Sequence, residues 1–430
     1  MARTATVTET EYLRLIGFGA AIGIPAALLA ALFLALAHRI EDWLWADLPG
    51  AIGRSAPPWY LVVGLPVAGA LVVAVARRFL PGDGGHAPLH GLSTEPTPVA
   101  HGVGVALAAL GTLGFGAVLG PEAPVIALGS VVGMAVTRFV RVDPRGTAVL
   151  ATAGSFAAIS ALFGGPLVAG IMLVEVGAGM GAAVLPALLP GFVAAAVGYL
   201  VFVGFGDWGG LDAPGLVIPD LPTYEGTHLD DLAVAVAVGV AVALLAAVVR
   251  RLGTAVDGLR GRWGMPALLL AGGLAIGLVA QIGDLLGAEA RDILFSGQTS
   301  VPVVVAEDSV RILAVLLVAK LVAYAVSLGC GYRGGPIFPA IFLGVTLASF
   351  AVVWFDMSPT FAVAVGTAGG MAAQSRLLVS SLLFAALLVG LAGTDAVPGA
   401  VLAAVAAWIT TAALDRRWHP TGAPEPASGS

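Results

Sequence analysis

The sequence predicts an all-α polytopic membrane protein made of two inverted repeats of tilted and broken helices. Three observations carry that expectation: an extreme apolar composition, long apolar runs interrupted by Gly and Pro, and a self-match at a constant offset. Of 430 residues, 59% are hydrophobic and only 11% charged, and the mean hydropathy is +0.99. Soluble domains do not reach these values, so lipid rather than water is the main solvent.

Apolar runs long enough for a bilayer core of roughly 30 Å fall at 13–37, 60–76, 99–119, 147–175, 181–204, 232–249, 264–286, 310–328 and 396–414, with shorter ones near 123–137, 338–354 and 377–393. Most carry internal Gly or Pro, which a membrane tolerates where broken helices are buried in protein or line a cavity. The run at 13–37 is too long for a signal-peptide core and no clear cleavage site follows it, so it reads as a retained helix. Residues 1–414 form a single transmembrane domain, with repeat one at about 60–204 and repeat two at about 264–414. Residues 415–430, polar and rich in Pro, Gly and Ser, read as a disordered cytoplasmic tail that leaves no room for a soluble regulatory domain.

Basic residues cluster at Arg77 and Arg78, at Arg138, Arg141 and Arg145, at Arg250, Arg251, Arg260 and Arg262, and at Arg416 and Arg417, whereas acidic residues dominate 41–47 and 207–231. The positive-inside rule therefore places the basic loops and both termini in the cytoplasm of a cell that carries the chain in its plasma membrane. The single cysteine, Cys330, can form neither an internal disulfide nor a metal site by itself. No cofactor, metal or nucleic acid is expected.

The self-match is the most informative feature. Leu113–Gly129 aligns with Leu328–Gly344 at an offset of 328 − 113 = 215, with nine of 17 positions identical, where chance at this composition would give roughly two. The run from Thr152 matches the run from Thr367 at 7 of 11 positions, again at 367 − 152 = 215. A constant offset points to duplication, and duplicated membrane halves place a substrate site near the midplane, where discontinuous helices from both halves aim their N-termini at the ligand.

Each repeat holds a Gly-Pro step followed by a second Pro: Gly120, Pro121 and Pro124, then Gly335, Pro336 and Pro339. Pro in a first turn costs no intrahelical hydrogen bond, so both read as helix starts. Two helix N-termini, with free N–H groups and about half a positive charge each, would hold an anion without a buried Lys or Arg, in keeping with a chain that has one Lys in total. Glu122 occupies the first turn in repeat one, where repeat two has Ile337. A carboxylate there either caps its helix or competes with a permeating anion for the same amides, and an ionisable residue inside a membrane segment favours the second role.

These residues resemble the CLC family of voltage-gated chloride channels and chloride/proton antiporters, in which a Gly-x-Glu-x-Pro motif carries the gating glutamate; Gly120, Glu122 and Pro124 fill its places. The resemblance extends to Gly334–Pro339, to Phe163–Pro166 and to the loop Gly84–Pro88. It implies a divergent, bacterial-type member without CBS domains: a homodimer in the membrane lipid, one pore per subunit, moving chloride or a similar monovalent anion. It also implies Glu122 as the gate and anion binding around Gly85, His86, Gly120, Ala123, Gly335, Ile337 and Phe338.

The chain departs from the family pattern in several places. Gly85 stands where the family has a Ser near the anion, so a hydroxyl is missing, and the adjacent His86 either interacts with an anion when protonated or is a solvated or capping residue. Pro336 removes one backbone donor and leaves the amides of Ile337 and Phe338. The family's tyrosine beyond the final helix has no counterpart, since only Trp418 and His419 follow Arg417 before the tail. Glu175 falls about two residues before the inner glutamate of proton-coupled members. At about 100° per residue it faces elsewhere, as a structural hydrogen-bonding or interface residue or as a proton carrier.

Three rivals frame the functional reading. One is a proton/anion antiporter of the same fold. Another is an unrelated inverted-repeat transporter, for which Gln281, Gln298, Lys320 and Gln374 are candidates that form no recognisable cluster. The third, an intramembrane enzyme, lacks a His-Glu-x-x-His pair, paired aspartates in apolar segments and a nucleophilic-cysteine setting. Lys320 and Arg376, both in apolar surroundings, either pair with an acid, line an anion vestibule or, more commonly near segment ends, snorkel to the interface.

Overall fold

A computed structural model describes residues 9–177, 185–211 and 216–418. The sequence-assigned tail lies outside them except for its first residues, Asp415–Trp418, which continue the last helix instead of starting a tail. Fourteen principal helices follow in order: α1 Glu9–Asp42, α2 Trp59–Phe79, α3 Gly102–Leu113, α4 Glu122–Val136, α5 Pro144–Phe163, α6 Pro166–Gly177, α7 Leu185–Val203, α8 Leu229–Asp257, α9 Met265–Leu285, α10 Val310–Cys330, α11 Ile337–Phe355, α12 Pro359–Ser375, α13 Leu378–Val389 and α14 Val397–Trp418. Among the described residues nine helices are long and apolar enough to cross a membrane.

The break points are written in local chemistry. The apolar run at 147–175 is two helices, because Gly164 closes α5 in the left-handed conformation (φ 69°) and Pro166 opens α6, as expected of a glycine C-cap followed by proline. Asp143 caps α5 by accepting from Gly146 N–H at 2.7 Å, and Ser309 does the same for α10 through Ile312. The run at 99–119 is helical only to Leu113. At 12 to 15 residues, α3, α4 and α6 are shorter than the ~20 residues of a full crossing, and therefore start or stop at membrane depth.

The duplication is visible in helix starts, since α4 and α11 begin 337 − 122 = 215 residues apart and α5 and α12 begin 359 − 144 = 215 apart. Packing repeats it: α4 lies on α5 and α5 on α7, as α11 lies on α12 and α12 on α14. In addition α1 covers α5 and α7 as α8 covers α12 and α14, so each packing unit begins one helix earlier than 60 and 264, with α1 and α8 as equivalents. The inversion puts the C-terminal ends of equivalent helices at opposite faces. The basic ends meet: Arg250 and Arg376 both pair with Asp415 near the end of α14.

Contacts within each repeat depend on glycine. A methyl group at Gly129 or Gly154 would overlap the other's backbone carbonyl, and Gly344 and Gly366 stand in the same relation in repeat two. Helix α12, absent from the apolar runs above, is explained by this packing: Thr360 through Ala373 are all buried, so protein surrounds it and no lipid-facing apolar stripe is required. Replacing Gly344 by Ala should lower thermal stability in detergent by about 1–3 kcal/mol through overpacking. An unchanged melting temperature would show that α11 and α12 can separate freely.

Candidate functional site

Two segments of unwound backbone, 114–121 and 331–336, precede α4 and α11 and meet in the protein centre. Several of their backbone groups find partners in the protein, as membrane depth demands. Trp45 Nε1 donates to Gly114 O (3.1 Å), Phe295 N–H to Gly116 O (3.3 Å), and Val118 N–H to Ser327 Oγ (3.0 Å). In the second segment Arg77 donates to Gly331 O (2.7 Å), Arg333 N–H to Thr112 Oγ1 (3.1 Å), and Tyr324 Oη to Pro336 O (2.7 Å). The segments are joined by a reciprocal pair, Gly120 N–H to Gly335 O at 2.7 Å and Gly335 N–H to Gly120 O at 2.6 Å.

Glu122 sits at this junction and is fully buried. Its Oε1 accepts the N–H of Phe338 across the repeats at 2.9 Å, and Oε2 is buried without a hydrogen-bond partner. The carboxylate lies against Gly120 and Gly335 so closely that a Cβ on either would overlap it. Thus a negative group from one helix start is held by the electropositive start of the other, the favourable end of both dipoles. Ala123 and Ile337 lie in the opening turns of α4 and α11. The N–H groups of Gly120 and Gly335 each donate to the other's carbonyl, leaving these glycines to serve the site by shape.

Two cavities approach this junction. One of about 50 Å³, lined by His38, Glu41, Leu119, Pro121 and Gln298, reaches Pro121 before Glu122. Another of about 400 Å³, lined among others by His90, Glu175, Arg250, Gln374, Arg376 and Asp415, reaches Pro336 before α11. Glu41 and Arg250 lie near the C-terminal ends of the equivalent helices α1 and α8, so the cavities open toward opposite faces, with Glu122 between.

The loop with Gly85 and His86 is tied to the second segment through Asp83, which pairs with both Arg77 (2.7 Å) and Arg333. Burial alone pushes the Asp83 carboxyl up, but the hydrogen bonds and charges of the two arginines hold it below its ordinary range. Gly85 has φ 98° and its N–H donates to Gly82 O at 2.9 Å, so neither side chain nor amide is offered to a ligand. His86 stacks edge-on toward His90 at 6.3 Å. Burial, then His90 and Arg333, lower its pKa below the ordinary 6.5, against smaller raising contributions from Glu95 and a backbone hydrogen bond at His90, which disfavours the protonated ring.

Glu175 is a helix cap in trans: it accepts Val379 N–H (2.8 Å), Ser380 N–H (2.7 Å) and Ser380 Oγ–H (2.5 Å) at the start of α13. Lys320, in contrast to an interfacial placement, is fully buried. Its Nζ donates to Asp292 O (2.9 Å) and Leu294 O (2.7 Å), closing the short helix Ala290–Ile293, and lies 4.4 Å from the centre of the Phe342 ring. Arg376 does lie at the rim, in an ion pair with Asp415. Tyr324 and Arg333, both buried beside the second helix start, carry no signal in the sequence that singles them out; only the fold brings them there.

This is the architecture of an anion-conducting membrane protein with two opposed helix starts. A family model described as voltage gated chloride channel matches residues 85–411, and the chain belongs to that family, the CLC proteins, whose activity is anion transport. Relatives from Escherichia coli and Shigella boydii, carrying the provisional name ion-transport protein YfeO, are 29% identical over 340 residues, 76% of this chain and 76% of theirs. Among solved structures, a slow cyanobacterial Cl⁻/H⁺ antiporter superposes with a TM-score of 0.72 at 16% identity, covering 93% of this chain and 95% of its own. A CLC-type fluoride/proton antiporter gives 0.71 at 18%, covering 95% and 98%. These likenesses bear on the fold.

The Glu175 cap gives a test of its own. Glu175→Ala removes three hydrogen bonds to a charged acceptor, each worth about 1.5–3 kcal/mol at most, so the melting temperature should fall while anion flux per folded molecule stays within about twofold. Loss of flux without loss of stability would assign Glu175 to transport instead.

Proposed function

We propose that this protein carries chloride or a similar small monovalent anion across the plasma membrane through a pathway gated by Glu122. The observation that supports this reading most is the Glu122–Phe338 hydrogen bond: the amide suited to an anion is occupied by a carboxylate. Charged, the side chain takes the N–H groups that would otherwise coordinate the anion. Protonated, it accepts more weakly and loses its attraction to the helix starts, so the anion displaces it. The helix-start amides around Ala123, Ile337 and Phe338 are the proposed ligands, and Gly120 and Gly335 keep the shared space open.

Nothing in this pathway cleaves or forms a bond, and the protein acts as a transporter and not as an enzyme. It works as a homodimer in lipid, a single transmembrane domain per subunit, with the cavity bearing Arg250 and Arg376 and both termini facing the cytoplasm. Coupled proton/anion exchange is the second reading, supported by the two solved neighbours, both named as proton antiporters. Against it stands Glu175, whose carboxylate is committed to the start of α13.

Purified protein in liposomes should dissipate a chloride gradient when a cation ionophore clamps the potential, faster as external pH falls. Glu122→Gln should conduct at a rate that no longer follows pH, with any proton coupling abolished; a folded variant that keeps the parent's pH profile would reduce Glu122 to a helix cap. Proton flux in fixed ratio to chloride in the parent would decide for exchange.

Gly335→Ala tests whether carboxylate and anion share one place. The added methyl overlaps the carboxylate position, and overpacking of about 1–3 kcal/mol corresponds to roughly fivefold to hundredfold lower occupancy. Flux should fall by that factor in Gly335→Ala and also in its combination with Glu122→Gln. Normal flux in the double variant would place the anion elsewhere.

A further inference from the structure

Arg333 is a charged side chain for which the gating scheme has no use. It immediately precedes the Gly334–Gly335 helix start, its side chain is only 5% exposed, and its backbone is pinned to the end of α3 through Thr112. Nε donates to Asp83 O at 2.9 Å, and one terminal nitrogen, Nη2, pairs with the Asp83 carboxylate. The other, Nη1, is buried and has no partner. A tether between the loop and the helix start accounts for Nε and Nη2 but leaves Nη1 unexplained, and a charged donor without an acceptor is costly in a dry interior.

The local charge does not balance either. Arg77, its side chain also 5% exposed, pairs with the same Asp83, so two guanidinium groups share one carboxylate and the cluster keeps one net positive charge. It lies close to the junction: Arg333 is two residues from Gly335, at most about 7 Å along the chain, and Gly335 touches the Glu122 carboxylate. The far side of the cluster is the loop with Gly84 and Gly85, where a Cβ on Gly84 would meet the Arg333 stem and where Gly85 offers no donor of its own.

We infer that Arg333 is an anion-binding side chain of the pathway, its free guanidinium N–H donating to the transported anion in place of the hydroxyl that Gly85 lacks. The inference rests on the anion-transport reading and adds a residue to it. A fixed charge here attracts any small monovalent anion, while the planar donor gives direction to the last contact. Asp83 sets how much of that charge is felt.

Chloride titrated calorimetrically into purified, chloride-free protein measures the binding directly. Arg333→Gln should weaken chloride binding by about tenfold or more, the scale of a hydrogen bond from a charged donor, and Arg333→Lys, which keeps the charge, by less. Asp83→Asn should strengthen it, because the cluster then carries two net positive charges; a merely structural tether predicts lower melting temperatures with unchanged affinity. Unchanged chloride affinity in folded Arg333→Gln overturns the inference, and if that variant does not fold, Asp83→Asn decides, unchanged or weaker binding counting against it. Parent protein that binds and moves no chloride would overturn the transport reading as well, whereas normal flux in the parent with unaltered affinity in both variants removes Arg333 alone.

Discussion

The two hydrogen bonds between Gly120 and Gly335 are the contact on which the rest of the structure depends. A helix that begins inside a bilayer must bring its unwound backbone to an acceptor, because no water is available to supply one. Here each unwound segment is the acceptor for the other, so neither repeat can form its helix start alone. Side chains add to this from a distance in sequence, with Trp45, Ser327, Tyr324 and Arg77 each satisfying one backbone group. Once that junction exists, the positive ends of α4 and α11 necessarily face a common point.

What occupies that point follows from shape and charge together. The glycines pair backbone to backbone and leave a space that one carboxylate fills, in contact with both. Repeat symmetry would supply a second such group from α11, but Ile337 stands there, and two like charges in one dry site could not both ionise. The break in the repeat at Glu122 and Ile337 therefore falls where symmetry would be unfavourable. The unpartnered Oε2 fits a side chain held firmly enough to close a path yet able to leave it.

Much of this was legible in the sequence because duplication preserves spacing: the offset of 215 anticipates the separation between the starts of α4 and α11, and the Gly-Pro steps lie just before them. Glu122 was legible for the same reason, as the one acid that the repeat puts at such a start. Helix α12 was not, since hydropathy detects contact with lipid and this helix is sheathed in protein. Lys320, Tyr324 and Arg333 were illegible in a different way. A buried polar side chain is explained by its partner, and those partners, Leu294 O, Pro336 O and Asp83, are separated from them in the chain by loops or by a whole repeat. The interfacial placement of Lys320 fails because a carbonyl pair at the end of a short buried helix, together with the Phe342 ring, replaces the water that snorkelling would seek.

Glu175 shows how the same residue type acquires another task a short distance away. Its carboxylate receives three donors at the start of α13, which commits it to closing that helix end. Glu122 accepts the Phe338 amide and lies among glycines rather than hydroxyls. Both carboxylates sit at helix N-termini, so the dipole alone cannot separate their roles. Saturation separates them: the fully bonded Glu175 locks two helices together, whereas Glu122 keeps one oxygen free at a dry junction, which suits the exchange with an anion proposed for it.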